Sequence, residues 1–267
     1  MEQWKGTVAL VTGASAGIGH ATTLELLKHG VHVVALARRG DKLRDIPDQL
    51  PKNSNDTFGK LYPMECDITD ENTVKNVFSW IDTNLGGISI MINNAGILRK
   101  STLLGGKTED WKSILDLNVL ALSVCTREAY QSMTKHNING YIIQINSIVG
   151  HSISSIFGNK MYNASKKAVT VLCDGLRHEL QLVGSKIKVT SLSPGLVDTE
   201  IFAAGNCPLV TEGVSNPPPS LTAKTVADTV ILALSTPPDV LFAELTVIRV
   251  GATIQNHMTA LPPFTVC

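Results

Sequence analysis

The chain has 267 residues, 43% hydrophobic and 17% charged, enough apolar material for one α/β domain with a substantial core and too much for a disordered chain. Lys plus Arg and Asp plus Glu number 23 each, so the charge balance gives no reason to expect a nucleic-acid partner. The sequence has no apolar run long enough to cross a bilayer and no room for a signal peptide ahead of its first strand, so a cytoplasmic protein without a membrane anchor is expected.

Thr7–Val11 reads as a short buried strand. It runs into the Gly-rich turn Thr12-Gly13-Ala14-Ser15-Ala16-Gly17-Ile18-Gly19, and a helical pattern follows over His20–His29. Strand, Gly-rich turn and helix together make a phosphate site. The glycines let a diphosphate approach the backbone, and the helix N-terminus offers unpaired N–H groups. The spacing is GxxxGxG, not GxGxxG. Val31–Ala37 is a second buried strand, ending at Arg38-Arg39. In dinucleotide folds a carboxylate at this point binds the free 2′-hydroxyl of NAD, whereas arginine suits the 2′-phosphate of NADP. Ala37, Arg38 and Arg39 supply no carboxylate, so the expected cofactor is NADP(H). The same pair on its own also fits a solvated basic turn.

Lys60–Met64, Ile88–Ile92, Gly140–Ile145, Lys188–Ser191 and Glu244–Val250 complete a set of seven strands. Helical patterns fall at Asn72–Leu85, Thr108–His136, Met161–Val183 and Ala223–Ser235. The alternation predicts a Rossmann-type, doubly wound, seven-stranded parallel sheet with helices on both faces, in a single domain over residues 1–267. The Gly-rich turn, Asp67, Asn93–Gly96, Ser147 and Pro194-Gly195 each follow a strand, so one sheet edge gathers them. Within the fourth helical pattern, Tyr162 and Lys166 are four residues apart and share a helix face. An ammonium beside a phenol favours phenolate, so Tyr162 is expected to lose its proton far below its usual value of about 10. Ser147 could hold a carbonyl oxygen beside it, and the three suggest proton transfer to or from an alcohol or carbonyl oxygen. Alone, the Tyr–Lys spacing fits equally a packed tyrosine and a solvated lysine.

Glu200–Leu221, rich in Gly and Pro, reads as a flap over the cleft or as a passive surface loop. Ile153, Ile156, Phe157, Leu196, Val197, Ile201 and Phe202 are expected to line an apolar substrate cleft, with no clamp for a carboxylate or phosphate. His151 could add one polar contact or be a capped loop histidine. The five cysteines are scattered without CxxC spacing, which suits reduced thiols. The seven histidines contain no HExxH, so no metal site is expected.

Thr12–Gly19, Asn93-Asn94-Ala95-Gly96, Asn118, Ser147, Tyr162-Asn163-Ala164-Ser165-Lys166 and Pro194-Gly195 with Thr199 occur in one order. In this the chain resembles the short-chain dehydrogenase/reductase family, from about Lys5 to Val250. Asn118–Met133 is further similar to the matching stretch of the dehydrogenase/reductase member 11 group. That group includes NADP(H)-dependent keto- and hydroxysteroid reductases and insect enzymes that oxidise farnesol.

The resemblance implies an oxidoreductase interconverting a hydrophobic alcohol and its ketone or aldehyde. Tyr162 would be the acid/base, Lys166 would lower its pKa and hold the nicotinamide ribose, and Ser147 would orient the substrate oxygen. Asn118 would carry a proton relay through water. Asp67 and Ile68 would meet the adenine, Asn94, Ala95 and Gly96 would line the cofactor cleft, and Pro194, Gly195, Val197 and Thr199 would reach the carboxamide end. Asn118 could also be a packed amide, and Asp67 or Thr199 only a helix cap. A basic residue often found inside the Gly-rich turn of NADP-binding relatives is replaced here by Ala16. Family relatives pair through the two long helices, and Leu115, Leu122, Val124, Val169, Leu172 and Leu176 permit a homodimer or homotetramer. The rival reading is a non-catalytic NADP(H)-binding redox sensor or scaffold.

Overall fold

The computed structural model describes residues 1–51, 58–153, 158–206 and 219–252. The β-rich runs form β1 (Val8–Thr12), β2 (His32–Ala37), β3 (Leu61–Glu65), β4 (Ile90–Asn93), β5 (Tyr141–Ile145), β6 (Lys188–Pro194) and β7 (Glu244–Val247). They make one sheet in the order β3-β2-β1-β4-β5-β6-β7, and every neighbouring pair is parallel. Helices α1 (Gly17–Lys28), α2 (Gly40–Arg44), α3 (Glu71–Leu85), α4 (Thr108–Leu115), α5 (Leu122–Lys135), α6 (Lys160–Leu182), α7 (Ile201–Ala204) and α8 (Ala223–Leu234) connect them. This is the expected doubly wound, Rossmann-type sheet.

The central strands are continuous apolar runs because both sheet faces are covered. Successive residues therefore enter opposite cores. Ala9, Val11, Val33, Ala35, Ile90, Ile92 and Ile143 pack with Leu26 and Leu27 of α1 and Val226 and Val230 of α8. Leu10, Val34, Leu36, Met91 and Ile142 pack with Val74, Val77, Phe78 and Ile81 of α3 and with Cys125, Ala129 and Met133 of α5. The α3 residues recur at the i, i+3, i+4, i+7 spacing of one helix stripe. The winding reverses where β1 lies beside β4, which opens a crevice outside the strands' carboxyl ends.

Several element ends differ from expectation. The helix α1 begins at Gly17, three residues early, because its first turn is the Gly-rich turn itself. The edge strand β7 stops at Val247. The single helix expected over Thr108–His136 is interrupted by a π-helical turn, Asp116–Ala121, which carries Asn118. Neither Pro nor Gly marks it; a π turn inserts one residue and re-aims a side chain, and such turns gather at functional sites.

Six leucines and valines were expected to favour self-association, and the structure divides them. Leu122 and Val169 pack together between α5 and α6, and Val124 is in the core. Leu176 is packed against that core. Leu115 and Leu172 are exposed, and Leu120 and Val171 join them at 62% exposure each. Among the described residues, no helix is long and apolar enough to cross a membrane.

Candidate active site

A cavity of about 660 Å³ opens along the sheet's carboxyl edge. Its floor at one end is the turn after β1. Gly13 and Gly17 have φ of +66° and +56°, the left-handed region that glycine enters without steric cost. A Cβ on Gly17 would stand 3.1 Å from Thr199 Cγ2. The N-cap of α1 is Ala16, and no side chain caps the helix. Its first N–H groups are thus left for an anion, as a diphosphate requires. Gly19 is not on the wall; a Cβ there would lie 2.4 Å from both the Gly13 carbonyl oxygen and Asn94 Nδ2. Its role is close packing. Asn94 Nδ2 donates to the Thr12 carbonyl at 2.9 Å, and Thr12 Oγ1 accepts from the Asn94 and Ala95 amides at 3.0 and 3.1 Å. These bonds join the ends of β1 and β4, so Asn94, Ala95 and Gly96 form the adjoining wall.

Ser15, Arg38 and Arg39 also border the cavity, as do Asp67 and Ile68. Asp67 is not a helix cap. It accepts from the Thr69 amide and hydroxyl at 3.0 and 2.7 Å, while Asp70 caps α3. Thr199 is not a cap either; α7 starts after Glu200. This donor set fits a dinucleotide. It offers an uncapped helix start, glycines that leave the backbone bare, and two exposed guanidiniums at the end of β2. The carboxylate missing from the sequence at this point comes from a distance: Glu200 Oε2 lies 3.3 Å from Arg39 Nη1.

At the other end, Ser147, Tyr162, Lys166, Pro194, Gly195, Val197 and Thr199 share the same cavity. Lys166 Nζ donates to the Ile145 carbonyl at 2.7 Å and lies 5.8 Å from the Tyr162 ring centroid. Burial pushes the Tyr162 phenol up to about 12, opposed by its hydrogen bond with Ser147. Burial also pushes the Lys166 ammonium down to about 8. The expected fall in the tyrosine pKa is therefore reversed in the protein alone. The ammonium is committed to a main-chain carbonyl and sits over the ring, and desolvation of the phenolate outweighs it.

Asn118 is buried, off the cavity wall. Its Oδ1 accepts from the Ile97 amide at 2.8 Å, and its Nδ2 donates to the Ile97 carbonyl at 2.9 Å and to Ser165 Oγ at 3.0 Å. Ser165 in turn donates to the Tyr162 carbonyl at 2.7 Å. Asn118 thus braces the turn of α6 that presents Tyr162 and Lys166. His151 is not on the wall; its Nε2 lies 2.9 Å from Ser193 Oγ and 3.2 Å from Glu244 Oε1.

The apolar wall expected from sequence is partly present. Leu196, Val197, Ile201 and Phe202 line the cavity, whereas Ile153 is 68% exposed and off it. Ile156 and Phe157 lie outside the described residues, as does 207–218 of the expected flap. The flap's described ends are anchored, with Val197 bridged to Leu221 and the Gly205 carbonyl accepting from the Lys100 amide at 3.1 Å. Arg99 was missed in the sequence. It lines the cavity and donates to the Ala204 carbonyl at 3.2 Å, a contact across 105 residues that no local pattern signals. Among the described residues, no group of three or more His, Cys, Asp or Glu could hold a metal ion.

Residues 7–206 match the family model for short chain dehydrogenase. The chain is 41% identical over 252 residues to farnesol dehydrogenase of Aedes aegypti, covering 94% of this chain and 99% of that protein. It is 43% identical over 248 residues to dehydrogenase/reductase SDR family member 11 of Gallus gallus, covering 92% and 96%. Among solved structures, the closed form of serine dehydrogenase complexed with NADP+ superposes with a TM-score of 0.81 at 27% identity, covering 97% of this chain and 100% of that one.

In the cofactor-free protein, Tyr162 is expected to remain protonated until well above pH 10. The absorbance difference at 295 nm between wild type and Tyr162→Phe checks this. Tyrosinate appearing in the difference near pH 8 would mean that Lys166, not burial, dominates.

Proposed function

The chain belongs to the short-chain dehydrogenase/reductase family of oxidoreductases, and we propose that it interconverts a hydrophobic alcohol and its ketone or aldehyde with NADP(H). The observation that carries this reading is the sharing of one cavity by Ser147, Tyr162 and Lys166 with the uncapped turn at Gly13–Gly19 and with Arg38 and Arg39. A bound nicotinamide would supply or accept the hydride. The backbone at Gly13, Gly17 and Ile18 would hold the diphosphate. Ser15, Arg38 and Arg39 would hold the 2′-phosphate, and Asp67 and Ile68 would meet the adenine. Asn94, Ala95, Gly96, Pro194, Gly195, Val197 and Thr199 complete the cofactor wall, and Gly19 closes the turn beneath it.

Ser147 donates to the substrate oxygen and fixes its position. In the reducing direction Tyr162 gives that oxygen its proton; in oxidation it takes the proton back. A phenol that holds its proton to about pH 12 is a poor base on its own. The oxidising direction therefore needs Lys166 turned toward the phenol oxygen, away from the Ile145 carbonyl. With its own pKa near 8, Lys166 can accept and return a proton at working pH. Asn118 holds both groups in register through Ser165. Both Nδ2 protons are taken by Ile97 and Ser165, so a water relay through its side-chain amide would have to use the second lone pair of Oδ1.

Leu196, Val197, Ile201 and Phe202 favour a lipid-like substrate. An isoprenoid alcohol such as farnesol is the leading candidate, in keeping with the mosquito relative's name, and a keto- or hydroxysteroid is the next. The exposed Leu115, Leu120, Val171 and Leu172 favour a second copy of the chain packed across α4, the π turn and α6. Buried free thiols at Cys66, Cys125 and Cys173 suit a reducing cytosol.

Purified protein screened with farnesol, farnesal and steroid alcohols and ketones, with either cofactor, is expected to turn over a lipid-like compound faster than small polar carbonyls. Tyr162→Phe should cut that kcat by about 10²–10⁴-fold while cofactor affinity stays near wild type. Undiminished turnover by the Phe variant would remove Tyr162 from the mechanism.

NADPH is expected to bind more tightly than NADH. Arg38→Asp should weaken NADPH by about 10–100-fold, the loss of a charge-assisted contact of about 1.5–3 kcal/mol. Equal dissociation constants for the two cofactors in the wild type would overturn the NADP(H) reading.

Light scattering at micromolar concentration should give a mass at least twice the chain's 28.6 kDa. A single 28.6 kDa species would show that the exposed α4–α6 face is not a self-association surface.

A further inference from the structure

Glu200 is the last residue of the stretch that leaves β6, immediately before α7. Its carboxylate crosses the cleft to the basic turn after β2. Oε2 accepts from Arg39 Nη1 and Nη2 at 3.3 and 3.4 Å, and Oε1 lies 3.9 Å from Lys42 Nζ. Arg39 also donates to Ser15 Oγ, from Nε at 3.3 Å and from Nη2 at 3.2 Å. One guanidinium thus bridges the Gly-rich turn and the segment that enters α7.

We propose that Glu200 occupies the 2′-phosphate subsite of the cofactor-free protein, competing with that phosphate for Arg39 and Lys42, and that Lys42 is a third cationic ligand of the phosphate beside Arg38 and Arg39. The proposal rests on the NADP(H) reading above. Its first support is geometric. Arg39, one of the two arginines that would read a 2′-phosphate, already holds an anion, and Lys42 reaches the same carboxylate. Its second support is energetic. The Glu200 side chain is 61% exposed, and exposed single pairs are weak. A phosphate brings more charge and a bidentate fit to the guanidinium, so it displaces the carboxylate.

Displacement has a consequence on the substrate side. Ile201 and Phe202 follow Glu200 directly and line the cavity. The far end of α7 stays tied, because Lys100 and Arg99 donate to the Gly205 and Ala204 carbonyls. Release of Glu200 therefore loosens one end of α7 only. Cofactor carrying a 2′-phosphate loosens it; cofactor lacking that group leaves the carboxylate in place.

The test measures dissociation constants for NADPH and NADH on wild type, Glu200→Gln and Lys42→Ala, with hydrogen exchange of residues 201–206. Glu200→Gln is expected to bind NADPH about fivefold tighter, the scale of one like charge removed at about 4 Å in water, with NADH changed less than about twofold. Lys42→Ala should weaken NADPH by a similar factor and spare NADH. In wild type, adenosine 2′,5′-bisphosphate should speed exchange at 201–206 and 5′-AMP should not; in Glu200→Gln the exchange should be fast already. If wild type prefers NADPH but Glu200→Gln leaves its NADPH constant unchanged, the competition is wrong while the cofactor reading stands. If wild type shows no preference, the NADP(H) reading falls and this proposal falls with it.

Discussion

A buried ammonium with a main-chain partner organises the Ser147–Tyr162 end of the cavity. Lys166 reaches from α6 to the Ile145 carbonyl at the carboxyl end of β5, and burial lowers its pKa from 10.5 to about 8. Burying a cation costs free energy, and one hydrogen bond does not recover all of it. The sign of the pH dependence follows from the depressed value. Between about 8 and 10.5 the unfolded chain holds this proton and the folded chain does not. The cost is therefore fully present below that window and is relieved as pH rises through it. A fold that keeps such a group for stability alone would do better with an apolar residue. A buried lysine kept against that cost is in keeping with the proton-transfer role proposed for it.

The neighbouring phenol pays in the same coin, since burial raises Tyr162 as it lowers Lys166. The two values therefore move apart, each in the direction that keeps its group neutral. A neutral pair can sit in an apolar cleft; a charged pair needs a further partner to hold it. In the free protein that partner is the Ile145 carbonyl, not the phenol oxygen. The brace from Asn118 through Ser165 to the Tyr162 carbonyl fixes the backbone, so the proposed engagement of the pair asks for a turn of the lysine side chain and not of the helix. Rigidity in the helix and freedom in one side chain suit proton transfer, which demands position more than force.

What could be read from the sequence was what depends on neighbours along the chain. Largely apolar runs marked β1, β2 and β4, because strands buried on both faces carry few polar positions; β3 and β7 are partly exposed edge strands and β6 carries Thr190, Ser191 and Ser193, so the turns and helices around them had to mark these. GxxxGxG marked the phosphate turn, and the four-residue step from Tyr162 to Lys166 marked one helix face. What escaped depends on distant partners. The π turn at Asn118 has no composition signal; it is held by Ile97 and Ser165, from elsewhere in the chain. The rise of the Tyr162 pKa depends on how much of the chain closes over it, which spacing does not encode. Ile153 looked like cleft lining because it is apolar and near Ser147, yet it faces solvent. Arg39 meets Glu200 across 161 residues, so the basic turn looked free of carboxylate when it was not.

Those distant contacts share a location. Glu200, Arg99, Ile97 and Asn118 all act near the segments that follow β4 and β6, which meet over the carboxyl edge of the sheet through Lys100 with Gly205 and Arg99 with Ala204. A parallel sheet with its winding reversed brings loops far apart in sequence to a common crevice, and there side chains can meet only through the fold. The regular parts of the sheet are local and legible; the crevice is neither. That asymmetry follows from the architecture. The strands need only be apolar, and many sequences satisfy that. The crevice needs a particular charge at a particular distance, as Glu200 at 3.3 Å from Arg39 Nη1 illustrates. Change in specificity within such a sheet should therefore fall first on loop residues like Glu200 and Lys42, whose replacement leaves both hydrophobic cores untouched.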